Sequence, residues 1–148
     1  MEDNKTRFDP VEYSLRTSWQ SIKTMYQDEA SKYGVTYAIG FALLSIDPKK
    51  GTSSTSIGPI MGLEANSLSR LLKIMEINKF IIRKSNPNDG RGVIVLLTKK
   101  GLKKRDITKN KVIKFNRLIE NNISKKDLTV FLKTTNKIKN LISENNIF

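Results

Sequence analysis

The sequence predicts a mainly α-helical domain carrying one small β-hairpin. Three observations lead there. Apolar residues recur at helical spacing over most of the chain, two short β-rich runs, "KFIIRK" and "GVIVLL", stand together near its middle, and no apolar stretch reaches the roughly 18 to 20 residues of a membrane span. At 148 residues the chain has room for one domain with a real core, but little for separate cofactor and substrate domains.

Leu15, Trp19, Ile22, Tyr26 and Tyr33 form the narrow stripe of a long helix, expected from about Pro10 to Lys32 and laid against another helix, with Gly34 closing it. "VTYAIGFALLSI", residues 35–46, is apolar nearly all round and reads as a buried central helix that Asp47-Pro48 ends. "KKGTSSTS" reads as a loop whose hydroxyls offer caps for a short helix ending near Met61, with Gly62 as the turn. Proline is tolerated in a first turn, so Pro59 predicts that this helix begins close to Thr55 or Ser56.

Leu68, Leu71, Leu72 and Met75 then follow the spacing of a helix with one buried face, and Asn66, Ser69, Arg70 and Lys73 group on its other side. The two β-rich runs flank a connection from Ser85 to Arg91, long enough to project, that holds "NDGRG". Thr98 caps a long basic helix, "KKGLKKRDITKNKVIKFNRLIENN", expected to turn Leu102, Val112, Phe115, Leu118 and Ile119 inward. A last helix runs from about Lys125 to Asn145, with Leu128, Phe131, Leu132, Ile138, Leu141 and Ile142 as its apolar set.

Composition narrows the chemistry. There is no cysteine and no histidine, which removes disulfides, thiolate sites, thiol redox switches, the commonest general base and the commonest metal ligand. Most nucleophilic triads and zinc enzymes are thereby excluded, and with no carboxylate cluster or phosphate-cradling glycines in the sequence, an enzyme, a bound metal and a cofactor are not expected. The N-terminus "MEDNKTRFDP" lacks a signal peptide's apolar core, so the expected location is the cytoplasm and no membrane partner is expected. Lys plus Arg number 27 against 14 Asp plus Glu, a net +13 that reads either as attraction to a polyanion or as the lysine bias of an AT-rich genome. Distribution separates the two. Residues 64–117 hold fifteen basic and four acidic side chains, while residues 1–63 hold seven of each and 118–148 five and three. Codon bias would spread lysine along the chain, so the middle segment is positive for its own reason.

A short helix, a glycine turn, a second helix with a polar outer face and then a hairpin is the order of a winged helix-turn-helix. In such a motif the second helix enters the major groove of double-stranded DNA. There Asn66 matches adenine and Arg70 guanine, while Ser67, Ser69 and Lys73 suit phosphates, which position a protein without reading sequence. A solvated surface helix is the alternative for the same residues. Lys100 is a further presumed phosphate contact.

Residues 57–101, "IGPIMGLEANSLSRLLKIMEINKFIIRKSNPNDGRGVIVLLTKKG", resemble the DNA-binding lobe of the multiple-antibiotic-resistance regulators, the MarR family of bacterial transcription factors. The long first helix and two C-terminal helices fit that family's layout. The resemblance implies one domain over 1–148, with a DNA-binding lobe over 35–98 and dimerisation helices over 1–33 and 99–148. The family commonly carries Asp-Arg-Arg in its wing, and this chain has Asp89-Gly90-Arg91, keeping the outer two. By position, Arg91 would enter the minor groove and Asp89 would help to hold the wing. A second departure is Gly58-Pro59, where the family usually has alanine and a polar residue.

The resemblance also implies a homodimer and a repressor acting on a palindromic operator, with an effector, often an aromatic acid, held between the dimer helices and the DNA lobe. The tail "SENNIF" supports the dimer, since Ile147 and Phe148 have little reason to be exposed on a lone domain; a tail folded back on its own core is the alternative. Trp19, Tyr26, Tyr37 and Phe41 are candidate linings for the effector, or else plain core. The competing function is a winged-helix interaction or RNA-binding module without operator specificity.

Overall fold

The structure is a computed structural model; it describes residues 10–145, and at residues 89–91 the backbone alone. The expected tail residues Ile147 and Phe148 lie outside the described residues. The chain divides into two compact units, Met1–Thr108 and Lys109–Phe148.

The first unit begins with α1 (Pro10–Ser31), whose inner stripe is only partly covered: Ile22, Tyr26 and Tyr33 are half-buried, whereas Leu15 and Trp19 are exposed. Next comes α2 (Tyr37–Ser45), capped by the Thr36 hydroxyl, which accepts from the Ile39 N–H at 3.2 Å. It is the central helix that its composition predicts, with Ala42 and Leu43 fully buried. The Asp47 carboxylate accepts the N–H groups of Lys49 and Lys50, both at 2.8 Å, and so shapes the exit turn.

The segment expected to be a plain loop contains a strand, β1 (Thr52–Ser53). Next come α3 (Ser54–Met61) and α4 (Ala65–Ile77), then β2 (Ile81–Asn86) and β3 (Asp89–Leu97). The sheet is therefore three-stranded and antiparallel, in the order β1-β3-β2, with Thr52 opposite Val95 and Arg83 also opposite Val95. Two polar residues give no alternating pattern, and their partner lies some forty residues away, so nothing local announces β1.

Three details correct the sequence reading. The start of α3 is Ser54, which places Pro59 in its second turn. The carbonyl of Thr55 loses the bond that a non-proline residue would give it, at low cost because Thr55 and Pro59 are exposed to solvent. Ser53 stands at the cap position but its side chain makes no capping bond, bonding to the Thr55 hydroxyl instead. The hairpin connection is also tighter than expected: Asn86 faces Asp89, leaving two residues, Pro87 and Asn88, and the Asn86 side-chain oxygen accepts the Asn88 N–H at 3.0 Å.

Gly62 closes α3 in the left-handed region (φ 64°), with its N–H on Pro59 O and the Leu63 N–H on Gly58 O at 2.9 Å. The core of this unit is built from α2, α3, α4 and the sheet; Leu43, Ile46, Ile57, Met75, Ile81 and Val95 are the fully buried large side chains. The basic helix α5 (Lys99–Asn122) starts in this unit and continues into the next. Its first turn is stitched to the sheet: the Thr98 hydroxyl accepts the Gly101 N–H at 3.0 Å, and the Thr98 N–H donates to Phe80 O at 3.0 Å.

The second unit holds the rest of α5 and α6 (Lys125–Glu144), which Ser124 caps through the Asp127 N–H at 3.1 Å. Leu118, expected to point inward, is 60% exposed. No described residue of α6 is buried, and Phe131, Leu132, Leu141 and Ile142 are each at least half exposed. A two-helix hairpin encloses too little volume to cover both apolar faces.

Candidate nucleic-acid interface

The proposed reading element is α4. Leu68, Leu71, Leu72 and Met75 fasten one side to the core, at 8% exposure or less. Asn66, Ser67, Ser69, Arg70 and Lys73 are all exposed on the remaining surface. At about 100° per residue, Asn66, Arg70 and Lys73 share a sector of roughly 60°, centred opposite the buried leucines. Core packing thus dictates which way the polar face looks.

Behind α4 lies the wing formed by β2 and β3. A groove of about 400 Å³ runs between α3, α4 and the sheet, and both Ser69 and Arg83 line it. Arg83 donates from Nε to the Glu76 carboxylate at 3.0 Å, and its Nη2 meets the same oxygen, tying α4 to β2. The Arg83 hydrogen bond, with its charge, holds the Glu76 carboxyl below its ordinary value. This pair escaped the sequence reading. The opposite charges seven residues apart are its only trace, and no spacing rule spans a helix end, a turn and a strand.

At the wing tip the register slips between Ser85 and Asn86: Ser85 faces Val93, but Asn86 faces Asp89. Gly90, Arg91 and Gly92 therefore form an irregular bulge in β3 that faces no residue of β2 in the ladder. The side chains of Asp89 and Arg91, given wing roles from the sequence, lie outside the described residues.

Lys100, a presumed phosphate contact, is already engaged. It donates to Asn78 O at 3.0 Å and stands 5.0 Å from the centre of the Phe80 ring. Its neighbour Lys104 donates to Tyr33 O. Part of the positive charge counted in the middle segment therefore secures helix ends.

Trp19, Tyr26, Tyr37 and Phe41 come together. Tyr37 is 4.7 Å from Phe41 and 6.1 Å from Trp19 between ring centres, and Tyr26 is 6.3 Å from both Tyr37 and Phe41. Trp19 is half exposed, so the cluster is not plain core. Burial pushes the Tyr26 and Tyr37 phenols above their ordinary value, with Tyr37 adding to the effect on Tyr26. Among the described residues, no group of three or more acidic side chains is arranged to hold a metal ion, and no helix is long and apolar enough to cross a membrane.

No family model matches the chain. The HTH-type transcriptional regulator SarZ of Staphylococcus epidermidis is 29% identical over 84 residues, which span 57% of this chain and 57% of that relative's length. Among solved structures, the DNA complex of MepR from S. aureus superposes with a TM-score of 0.82 at 18% identity, covering 91% of this chain and 99% of that one. A MarR-family transcription regulator gives a TM-score of 0.80 at 18% identity, covering 90% and 89%. At such identities the structural likeness speaks for the fold.

Proposed function

We propose, from the MarR-family fold that this chain carries, that it is a sequence-specific DNA-binding transcriptional regulator. It acts as a homodimeric repressor on a palindromic operator and is released by a small aromatic effector. One observation carries the DNA reading: the solvent face of α4 is polar and cationic, is held outward by a buried leucine row, and stands beside a two-stranded wing. That arrangement fits the major groove, with Asn66 and Arg70 toward base edges and Ser67, Ser69 and Lys73 toward phosphates. Arg91, flanked by glycines at the bulge, suits the minor groove, and Asp89 suits the support of its loop.

The exposed apolar residues of α1 and α6 support the homodimer, since a lone chain gains nothing from leaving them in water. Two-fold symmetry then sets two recognition helices on half-sites about 34 to 36 Å apart, which is why the operator is a palindrome. The aromatic cluster of Trp19, Tyr26, Tyr37 and Phe41 is the place for the effector.

Selection of binding sites from random duplex DNA at fixed, moderate salt tests this reading. A defined palindrome is the expected result. Equal capture of all sequences would overturn it in favour of a basic-faced module without operator specificity.

A further inference from the structure

Two large apolar side chains stand on the solvent side of α4, where core packing has no use for them. Ile74 is 48% exposed and Ile77 is 69% exposed, while the residues that do pack, Leu71, Leu72 and Met75, are buried. Single exposed apolar side chains are common on protein surfaces, so what distinguishes these two is their place on the helix that carries Asn66, Arg70 and Lys73.

The placement of Ile74 is specific. It follows Arg70 by one helical turn, which moves it about 6 Å along the axis and about 40° around it, and Lys73 precedes it directly. Ile74 thus lies beside Arg70 at the edge of the outward face, with Lys73 about 100° away around the helix. Ile77 lies about 4.5 Å further along, in the last turn, and recognition helices meet base edges mainly near their N-terminal ends. Of the two, Ile74 is the one within reach of bases if Arg70 is.

The major groove offers such a side chain one apolar partner on a base edge, the C5 methyl of thymine. Resting on the reading of α4 as the recognition helix, we propose that Ile74 is a specificity-determining residue. It packs its side chain on a thymine methyl about two base steps from the pair met by Arg70, the spacing that a rise of about 6 Å allows. Lys73 supplies attraction and register; Arg70 and Ile74 supply discrimination, each at its own base pair. The contact removes apolar surface from water on both sides.

The test uses the full chain and the duplex selected from random DNA, with each thymine of a half-site replaced singly by uracil, which pairs identically but lacks the methyl group. Wild type should bind about three- to fivefold more weakly when one particular thymine per half-site is replaced, the value of roughly one methyl group. Ile74→Ala should bind the thymine duplex more weakly by a similar factor and should no longer distinguish thymine from uracil at that position. Indifference of wild type to uracil at every position would overturn the proposal, and so would undiminished thymine dependence in Ile74→Ala. Failure of the underlying reading looks different: no sequence would be enriched in the selection, and the proposal would fall with it.

Discussion

Arg83 on β2 and Glu76 on α4 form an ion pair in which Nε and Nη2 converge on a single carboxylate oxygen. The pair joins the helix that faces outward to the strand that leads to the wing tip, and both partners are little more than one-third exposed.

Because Arg83 depresses the Glu76 carboxyl in the folded chain, the stability it contributes is present above the ordinary value of 4.5 and lost as pH falls through the depressed one. Glu76→Gln should therefore be less stable than wild type near neutrality, and the gap should narrow as pH falls below 4.5 and through the depressed value. Urea unfolding across a pH series measures this; a constant gap would mean that the carboxylate charge plays no part.

Gly101 tests the docking of α5. A Cβ there would lie 1.9 Å from Phe80 O and 2.9 Å from Phe80 C, both backbone atoms that cannot rotate away. Gly101→Ala should cost about 1 to 3 kcal/mol or more, because the first turn of α5 must lift off the start of β2. Denaturant melts followed by circular dichroism would register the loss, and wild-type stability would contradict the close contact.

The uncovered apolar faces predict association. Leu132 and Ile142 are 64% and 59% exposed on α6, and burying such side chains is worth about 1.5 to 3 kcal/mol each. Wild type should sediment as a dimer at micromolar concentration, and Leu132→Asp combined with Ile142→Asp as a monomer with its helix content retained. A monomeric wild type would end the dimer proposal.

At the wing, Arg91→Ala should weaken operator binding by about 1 to 3 kcal/mol and flatten the preference for A·T flanks, since a narrow A·T groove concentrates negative potential. Lys100→Ala serves as the control. Its amine is committed to Asn78 O and the Phe80 ring, so its loss should lower stability and leave flank preference intact. Affinities measured over a set of flanking sequences at fixed salt distinguish the two.

Much of this molecule is legible in its residues. The leucine row of α4, the Gly62 turn and the Thr98 cap depend on groups a few residues apart, and their spacing carries the information. The outward direction of Asn66, Arg70 and Lys73 follows from that row without further help. The four aromatic candidates were nameable as a set because helical spacing placed two of them on one stripe, though their mutual contact was not.

Other features have no local signature. Thr52 pairs with Val95, Arg83 meets Glu76, and Lys100 turns to Asn78 only because the chain has already brought distant segments together. Ile74 illustrates the same divide on the functional face: its spacing says only that it is off the buried stripe, and its exposure becomes informative once the core around α4 is complete. The sequence by itself determined the helices, the Gly62 turn, the Thr98 cap and the cationic side of α4, because periodicity and turn chemistry are written in neighbouring residues. Tertiary structure alone decided the third strand, the tie between α4 and the wing and which apolar residues stay in water, because pairing and burial depend on segments that only folding makes adjacent.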